Sequence, residues 1–206
     1  LWVWRSAAPL TRQDRVVVAD FENRTGDPAF THTLKQALTL ELERSRLAHV
    51  VTEREVARTL TLMQRQGQVL TPDVAADVCR RTGSKALLTG SVDRLGREYV
   101  LAVHATECRT GHVLAREQGR SASKEGILDA LAGATTRLRR TLGESLSDIP
   151  PRDERVHAVL STASLDAFEA YTTGEQMVLQ GRSPLPLFKQ AIERDPDFAY
   201  AHAALG

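Results

Sequence analysis

Three strand-like segments within residues 85–120 constrain the fold of this 206-residue chain more than any other feature. The middle segment, residues 98–108, alternates apolar with polar residues, which is the period of a strand with one buried face. Its apolar positions are Tyr99, Leu101, Val103 and Ala105. Short turns at Leu95-Gly96 and Thr110-Gly111 separate the three segments, so the sequence predicts an antiparallel meander.

The residues before the meander alternate between strands and helices. The apolar run at 16–21 predicts a buried strand, and the polar residues 22–28 predict a turn after it. An apolar face over residues 30–42 predicts a helix, with Lys35, Glu41 and Glu43 placed off that face. Further signals are a short strand at 49–51, helices beginning at Thr52 and Thr71, and a long helix capped by Ser123. We therefore expect an α/β fold in which helices pack on a mixed sheet.

Composition changes mark the expected domain boundaries. Residues 1–14 begin Leu-Trp-Val-Trp-Arg, which is typical of a membrane-exit remnant and linker; a terminus without function is the alternative. Residues 15–146 form the α/β domain, residues 147–163 form a linker with two prolines, and residues 164–206 form a helical segment. We expect a membrane contact only through a segment upstream of residue 1.

Charge and motifs exclude several classes of function. The net charge is +1, and the chain lacks the concentrated basic patch that nucleic-acid binding needs. It contains no phosphate-binding glycine loop, dinucleotide fingerprint or kinase catalytic motif, so we expect no cofactor and no enzymatic activity in this chain. The six histidines are scattered without zinc-ligand spacing, so we expect no metal site.

The two cysteines are Cys79, on a predicted helix, and Cys108, near a strand end. The favoured interpretation is that they are two separate small residues, at least one of them buried. The alternative is that they form a single disulfide. The cysteine content therefore leaves the cellular compartment open.

Polar residues follow the first strand, where a ligand could bind. Asp20, Glu22 and Asp27 do not match the spacing of a 12-residue calcium loop, so turn-forming and capping roles are favoured. Loops at strand ends are nevertheless where open α/β sheets bind ligands. The candidate ligand loop consists of Asn23, Thr25, Gly26 and Asp27.

The residues after 164 resemble a tetratricopeptide repeat. The matching residues, which would pack the two helices of the repeat, are Tyr171, Gly174, Phe188, Ala191 and Pro196, with Leu205 and Gly206 opening a second, truncated unit. Pro184 departs from the family pattern, and the spacing from Gly174 to Pro196 is about two residues short. The resemblance implies a protein or peptide partner, because arrays of such repeats present concave peptide-binding surfaces.

Residues 16–27 and 85–92 resemble strands of a TolB amino-terminal-like domain, and this resemblance covers roughly residues 15–146. Such a domain before a Pro-rich linker and tetratricopeptide repeats resembles the extracytoplasmic sensor region of bacterial receptor-type serine/threonine protein kinases. The combination implies a non-catalytic sensor and protein-interaction region of a membrane-anchored signalling protein, on the periplasmic side and with its kinase domain upstream. The alternative is a cytoplasmic regulatory or scaffolding module attached to an adenylate cyclase or a winged-helix regulator.

Overall fold

The computed structural model describes residues 10–43, 45, 47–144, 162 and 164–206. The first ten elements are β1 (Arg15–Val18), β2 (Glu22–Arg24), α1 (Ala29–Glu43), β3 (His49–Val50), α2 (Glu53–Leu62), α3 (Pro72–Arg81), β4 (Ala86–Leu95), β5 (Glu98–Glu107), β6 (Val113–Ser121) and α4 (Ile127–Thr141). Three further helices are α5 (Leu165–Leu179), α6 (Leu185–Arg194) and α7 (Ala199–Leu205). The predicted α/β class with a mixed sheet is confirmed.

The sheet has the order β3-β1-β4-β5-β6. Strand β1 runs parallel to both of its neighbours, and β4, β5 and β6 form the predicted antiparallel meander. Strand β2 lies where the sequence predicts only a turn, because the ten-residue β4 extends past the end of β1 and pairs with β2 in parallel. Between β1 and β2, the ring of Phe21 lies over Gly90 of β4 and fills the space that a side chain at Gly90 would occupy.

Strand β1 is buried on both faces, as its continuous apolar run predicts. One face packs against α1 and α4, with Val16 and Val18 in the larger of two apolar clusters. The opposite face packs against α2 and α3, with Val17 and Ala19 in the smaller cluster. Helices therefore cover both sides of the parallel part of the sheet.

The edge strand β6 lies so close to α4 that it depends on a glycine. A Cβ atom on Gly119 would lie 2.6 Å from the carbonyl oxygen of Ala130, which belongs to the α4 backbone. Backbone atoms are unable to swing aside as a side chain would, so α4 would have to shift as a whole.

We expect Gly119→Ala to lower the free energy of unfolding by about 1–3 kcal/mol, the usual cost of overpacking. Urea denaturation measures this change. The control is Gln118→Ala, at the exposed neighbouring position on β6. Equal stability of the two variants would contradict the close approach of β6 and α4.

The helices after residue 164 share the core of the α/β domain. Phe168 and Phe198 are fully buried in the same cluster as Phe30 of α1. Within the helical pair, Gly174 leaves room for Phe188, whose ring would lie 2.5 Å from a Cβ atom there.

The remaining predicted packing residues differ in burial. The ring of Tyr171 lies between Phe188 and Phe198, with centroids 5.6 and 5.2 Å away. Ala191 is fully buried, whereas Leu205 is partly buried and Pro196 and Gly206 are exposed.

The expected domain boundaries remain a prediction. At the N-terminal end, Leu10 is buried and its backbone N–H donates to Leu142 after α4, so residues 10–14 pack on the domain. The predicted membrane-exit residues 1–9 lie outside the described residues. The same is true of the expected linker, except for Thr162, whose hydroxyl donates to Asp195 after α6.

Candidate functional site

A cleft of about 390 Å³ opens at the carboxyl end of β1. Its walls are α1, α2, the loop 64–70 between α2 and α3, and Gln176 of α5. The connection from β1 leads through α1 to β3 on one side of β1, and the chain then returns to β4 on its other side. Such a switch of direction leaves a crevice at the strand ends, where open α/β sheets bind ligands.

A three-residue ionic cluster forms the floor of the cleft. Lys35 Nζ of α1 lies 2.8 Å from Asp20 Oδ1 and 2.8 Å from Glu53 Oε1. The side chains of Lys35 and Asp20 are only 9% and 14% exposed, whereas that of Glu53 is 50% exposed. The other oxygen of Asp20 accepts a 2.7 Å hydrogen bond from the backbone N–H of Leu70, which ties the loop to the strand end.

The contacts of Lys35 keep its ammonium group charged. Burial opposes the charged form of Lys35, but the attraction of Glu53 and Asp20 outweighs it, so the pKa of Lys35 lies above its ordinary value. Two carboxylates against one ammonium leave the floor with a net negative charge. The exposed part of that charge is on Glu53, because the other two side chains are covered.

The walls of the cleft carry side-chain amides with unused hydrogen-bonding capacity. Gln36 of α1, Gln66 and Gln68 of the loop, and Gln176 of α5 line the cleft. None of these four amides bonds to another residue in the part of the chain that the structure describes. Each amide group has two donors and an acceptor, so the walls offer both kinds of partner to a polar ligand.

We expect Lys35→Met to destabilise the protein by about 2 kcal/mol, since it leaves the carboxylate of Asp20 buried without its cation. The loss is smaller than for a fully buried pair, because water can reach Glu53. Urea denaturation measures it, with Gln36→Met at the next position of α1 as the control. If the two variants are equally stable, the cluster does not support the fold.

The predicted ligand loop lies in a turn whose polar groups bond mainly to one another. The Asn23 amide donates to the carbonyl of Asp27, and its oxygen accepts from the backbone N–H and the hydroxyl of Thr25. The carboxylate of Asp27 accepts from the N–H of Ala29 at the start of α1. Gly26 has a positive φ of 81° within the turn. These bonds give the loop a structural role in starting α1, and its role in ligand binding stays a prediction.

Lys124, in the loop before α4, connects this turn to α5. Its Nζ atom lies 2.9 Å from Asp27 and 3.4 Å from Asp166 at the start of α5. The hydrogen bond from Lys124 holds the pKa of Asp27 below its ordinary value of 3.8. The depressed pKa means that this pair stabilises the fold above about pH 3.8 and stops doing so as the pH falls through the lower, folded-state pKa.

We expect Lys124→Met to cost up to about 1 kcal/mol at about pH 6, because the pair is partly exposed, and almost nothing at about pH 2. Urea denaturation of the variant and the wild type at both pH values gives the two differences. Lys189→Met, at an exposed position of α6, is the control and should change stability at neither pH. A loss of the same size at both pH values would contradict the ion pair.

The three carboxylates considered for calcium each bond to a cation of the protein instead. Asp20 pairs with Lys35, Glu22 with Arg24, and Asp27 with Lys124. Among the described residues, no group of three or more His, Cys, Asp or Glu side chains is placed to hold a metal ion.

The two cysteines form a disulfide, so the favoured interpretation of two separate residues is wrong. Cys79 of α3 and Cys108 after β5 have Cα atoms 5.8 Å apart, within the usual range for a disulfide. Both are buried in the smaller apolar cluster. Their pairing depends on how α3 packs over the sheet, which the spacing of two cysteines in the sequence does not reveal.

Sequence reasoning missed the Lys35 cleft. Periodicity placed Lys35 on the polar side of α1, and Glu53 lies in the first turn of the helix predicted to begin at Thr52, where it drew no attention. Thr52 does cap α2, by accepting from the N–H of Glu55. The position of Asp20 at the end of a buried strand was the available signal, because a carboxylate there lies at the edge of the sheet where crevices form.

No protein-family model and no curated protein matches the sequence. Solved structures do match. The LpoB C-terminal domain from Salmonella enterica has 16% identity and a TM-score of 0.50, over 54% of this chain and 84% of that chain. The LpoB C-terminal domain from Escherichia coli also has 16% identity and a TM-score of 0.50, over 58% of this chain and 90% of that one. At this identity the likeness shows the fold alone.

These matches correct the interpretation as a kinase sensor region with a tetratricopeptide repeat, which is wrong. The matching domains are LpoB C-terminal domains, and Phe168 of α5 and Phe198, just before α7, are buried in the same cluster as the core of the α/β domain. TolB from Acinetobacter baumannii matches with 16% identity and a TM-score of 0.43, over 66% of this chain and 30% of that one. That score is too low to carry an argument, so the TolB amino-terminal-like assignment stays a prediction. No helix among the described residues is both long and apolar enough to cross a membrane.

Proposed function

We propose that this chain is a non-catalytic binding domain that works outside the cytoplasm and takes its ligand in the Lys35 cleft. The observation that carries the proposal is the cleft itself: a crevice at the end of β1 whose walls hold four glutamine side-chain amides above an ionic floor. Concave sites with a few convergent polar groups are the usual binding sites of proteins. We place the binding site for a partner in this cleft and not on a concave surface of tetratricopeptide repeats.

The side chains in the cleft favour binding over catalysis. The charged groups of the floor neutralise one another in part, and each already has a partner within 2.8 Å. The lining includes a histidine, His32, but no serine or cysteine that it could activate, and the Thr61 hydroxyl donates to the carbonyl of Ala57 in its own helix. An enzyme would need a nucleophile within reach of a general base, or an acid and base with separate environments.

The Cys79–Cys108 disulfide supports a location outside the cytoplasm. Disulfides persist in oxidising compartments, such as the bacterial periplasm, and are rare where thiols are kept reduced. Alkylating the full-length protein in intact cells of its natural host tests this location. We expect the two cysteines to react only after reduction, whereas reaction of both thiols without reductant would place the domain in the cytoplasm.

A photo-crosslinking side chain at Gln68 tests the cleft in the full-length protein in cells. We expect adducts from this position and none when Ala57→Trp, on the exposed face of α2, fills the cleft. Arg58→Trp is the matched control, because it adds the same ring to the next exposed position, outside the lining. Adducts that persist with Ala57→Trp, or that are absent from the unblocked protein, would overturn the proposed function.

A further inference from the structure

We infer that the Lys35 cleft binds an extended peptide segment that carries a basic side chain. The inference rests on the proposed function and names the class of its ligand. Three separate properties of the cleft support it: the amides of the walls, the charge at the opening, and the exposed apolar side chains that adjoin the lining in sequence.

The wall amides complement a peptide backbone. Every peptide unit other than proline presents one N–H donor and one carbonyl acceptor, and a glutamine side chain presents the matching groups. Gln36, the loop pair Gln66 and Gln68, and Gln176 approach from three different segments, so they can bond to successive peptide units. Such contacts hold a backbone without selecting its side chains.

The charge at the opening selects a cation. Glu53 is half exposed, and its partner Lys35 is almost fully covered, so a ligand meets the carboxylate before it meets the ammonium. The formal charge of the floor is negative once Asp20 is counted. A lysine or arginine of the ligand gains attraction here, whereas a phosphate or a carboxylate is repelled.

Two large apolar side chains adjoin the lining of the cleft in sequence. Leu62 and Val69 are 75% and 61% exposed. Leu62 follows the lining residue Thr61, and Val69 lies between the lining residues Gln68 and Leu70. Exposed aliphatic groups beside a polar cleft favour a ligand with alternating apolar and polar parts, as a peptide has.

A glycan is the other polymer whose polar groups could bond to these amides. Sugar rings usually also need an aromatic surface to lie on, and the lining of the cleft contains no Phe, Tyr or Trp. The observations therefore favour the peptide, and a glycan serves as a comparison in the test.

The test is a titration of the full chain, labelled with ¹⁵N, with three probes. The probes are the acetylated and amidated pentapeptide Ala-Val-Lys-Val-Ala, the same peptide with Glu in place of Lys, and the tetrasaccharide of N-acetylglucosamine. We expect the basic peptide to shift the amide signals of the cleft and to bind about tenfold more tightly than the acidic one, since an attractive ion pair becomes a repulsive one. The tetrasaccharide should leave those signals unchanged.

Two variants separate the contributions of charge and amide. Glu53→Gln should remove the preference for the basic peptide, and Gln68→Ala should weaken both peptides about fivefold through a lost hydrogen bond. Gln118→Ala, on the exposed edge strand, is the control and should bind like the wild type. Retained preference in Glu53→Gln would overturn the role of charge.

The outcomes separate this inference from the proposed function. If the tetrasaccharide or the acidic peptide shifts the cleft as strongly as the basic peptide, the cleft is a binding site but the ligand class is wrong. If the basic peptide shifts only residues outside the cleft, both proposals fail. If no probe binds, the peptide inference fails, and the crosslinking experiment alone decides the proposed function.

Discussion

Replacing Arg139 with methionine should lower the free energy of unfolding by about 3–5 kcal/mol, the largest effect that we expect from one substitution. Arg139 of α4 donates two hydrogen bonds, of 2.6 and 2.7 Å, to the carboxylate of Glu144. It also lies 3.7 Å from Glu41 of α1. All three side chains are almost completely buried, so the variant would leave the carboxylate of Glu144 in the protein interior without the cation that it bonds to.

Chemical denaturation measures this loss, and the neighbouring arginine supplies the control. Arg140→Met changes the same residue type on an exposed position of α4, so we expect it to change stability by less than about 0.5 kcal/mol. Adding Glu144→Gln to the Arg139 variant removes the charge left at Glu144 and should restore part of the loss. If Arg139→Met and Arg140→Met have the same stability, the buried ion cluster does not hold α1 and α4 together.

Removing the disulfide should cost about 3.5 kcal/mol. Cys79 and Cys108 are separated by 29 residues, and closing a loop of that length restricts the unfolded chain by about this amount in the chain-entropy account. The double variant Cys79→Ala with Cys108→Ala, compared with the oxidised wild type in urea, gives the value. We also expect faster hydrogen exchange in α3, which the bond attaches to the end of β5.

Comparing the reduced with the oxidised wild-type protein separates the stabilisation due to the covalent bond from that due to the packing of the two sulfur atoms. Reduction leaves both side chains in the smaller apolar cluster, so its effect on the free energy of unfolding belongs to the covalent link. We expect reduced wild type and the double alanine variant to agree within about 1 kcal/mol. Equal stability of the oxidised and reduced proteins would show that the link does not stabilise the fold.

Periodicity was sufficient to predict most of the elements. The meander, the buried strand β1 and the helices after Thr52 and Thr71 lie where the apolar patterns and caps predict them. The exception among the strands is β2, because a three-residue parallel strand depends on the length of β4 rather than on its own residues. The expected cap at Ser123 is also displaced, since α4 begins after Gly126.

The buried charges were beyond this kind of reasoning. A helical pattern assigns a charged residue to the solvent unless a partner is known, and the partners here come from other elements. Lys35 of α1 meets Asp20 after β1 and Glu53 of α2, and Arg139 meets Glu144 and Glu41. The cleft was missed for the same reason, because tertiary packing alone brings its glutamines together.

One wall of the cleft belongs to α5. Ligand binding in the cleft and the packing of α5 on the α/β domain are therefore coupled equilibria. Gln176 of α5 faces the same space as α1 and the loop 64–70. A ligand that bonds to Gln176 therefore stabilises the docked position of α5, and by thermodynamic reciprocity anything that favours docking raises the affinity for the ligand by the same factor. The Lys124 contacts to Asp27 and Asp166 hold the start of α5 on the α/β domain, so we expect them to contribute to the affinity of the cleft through the position of α5.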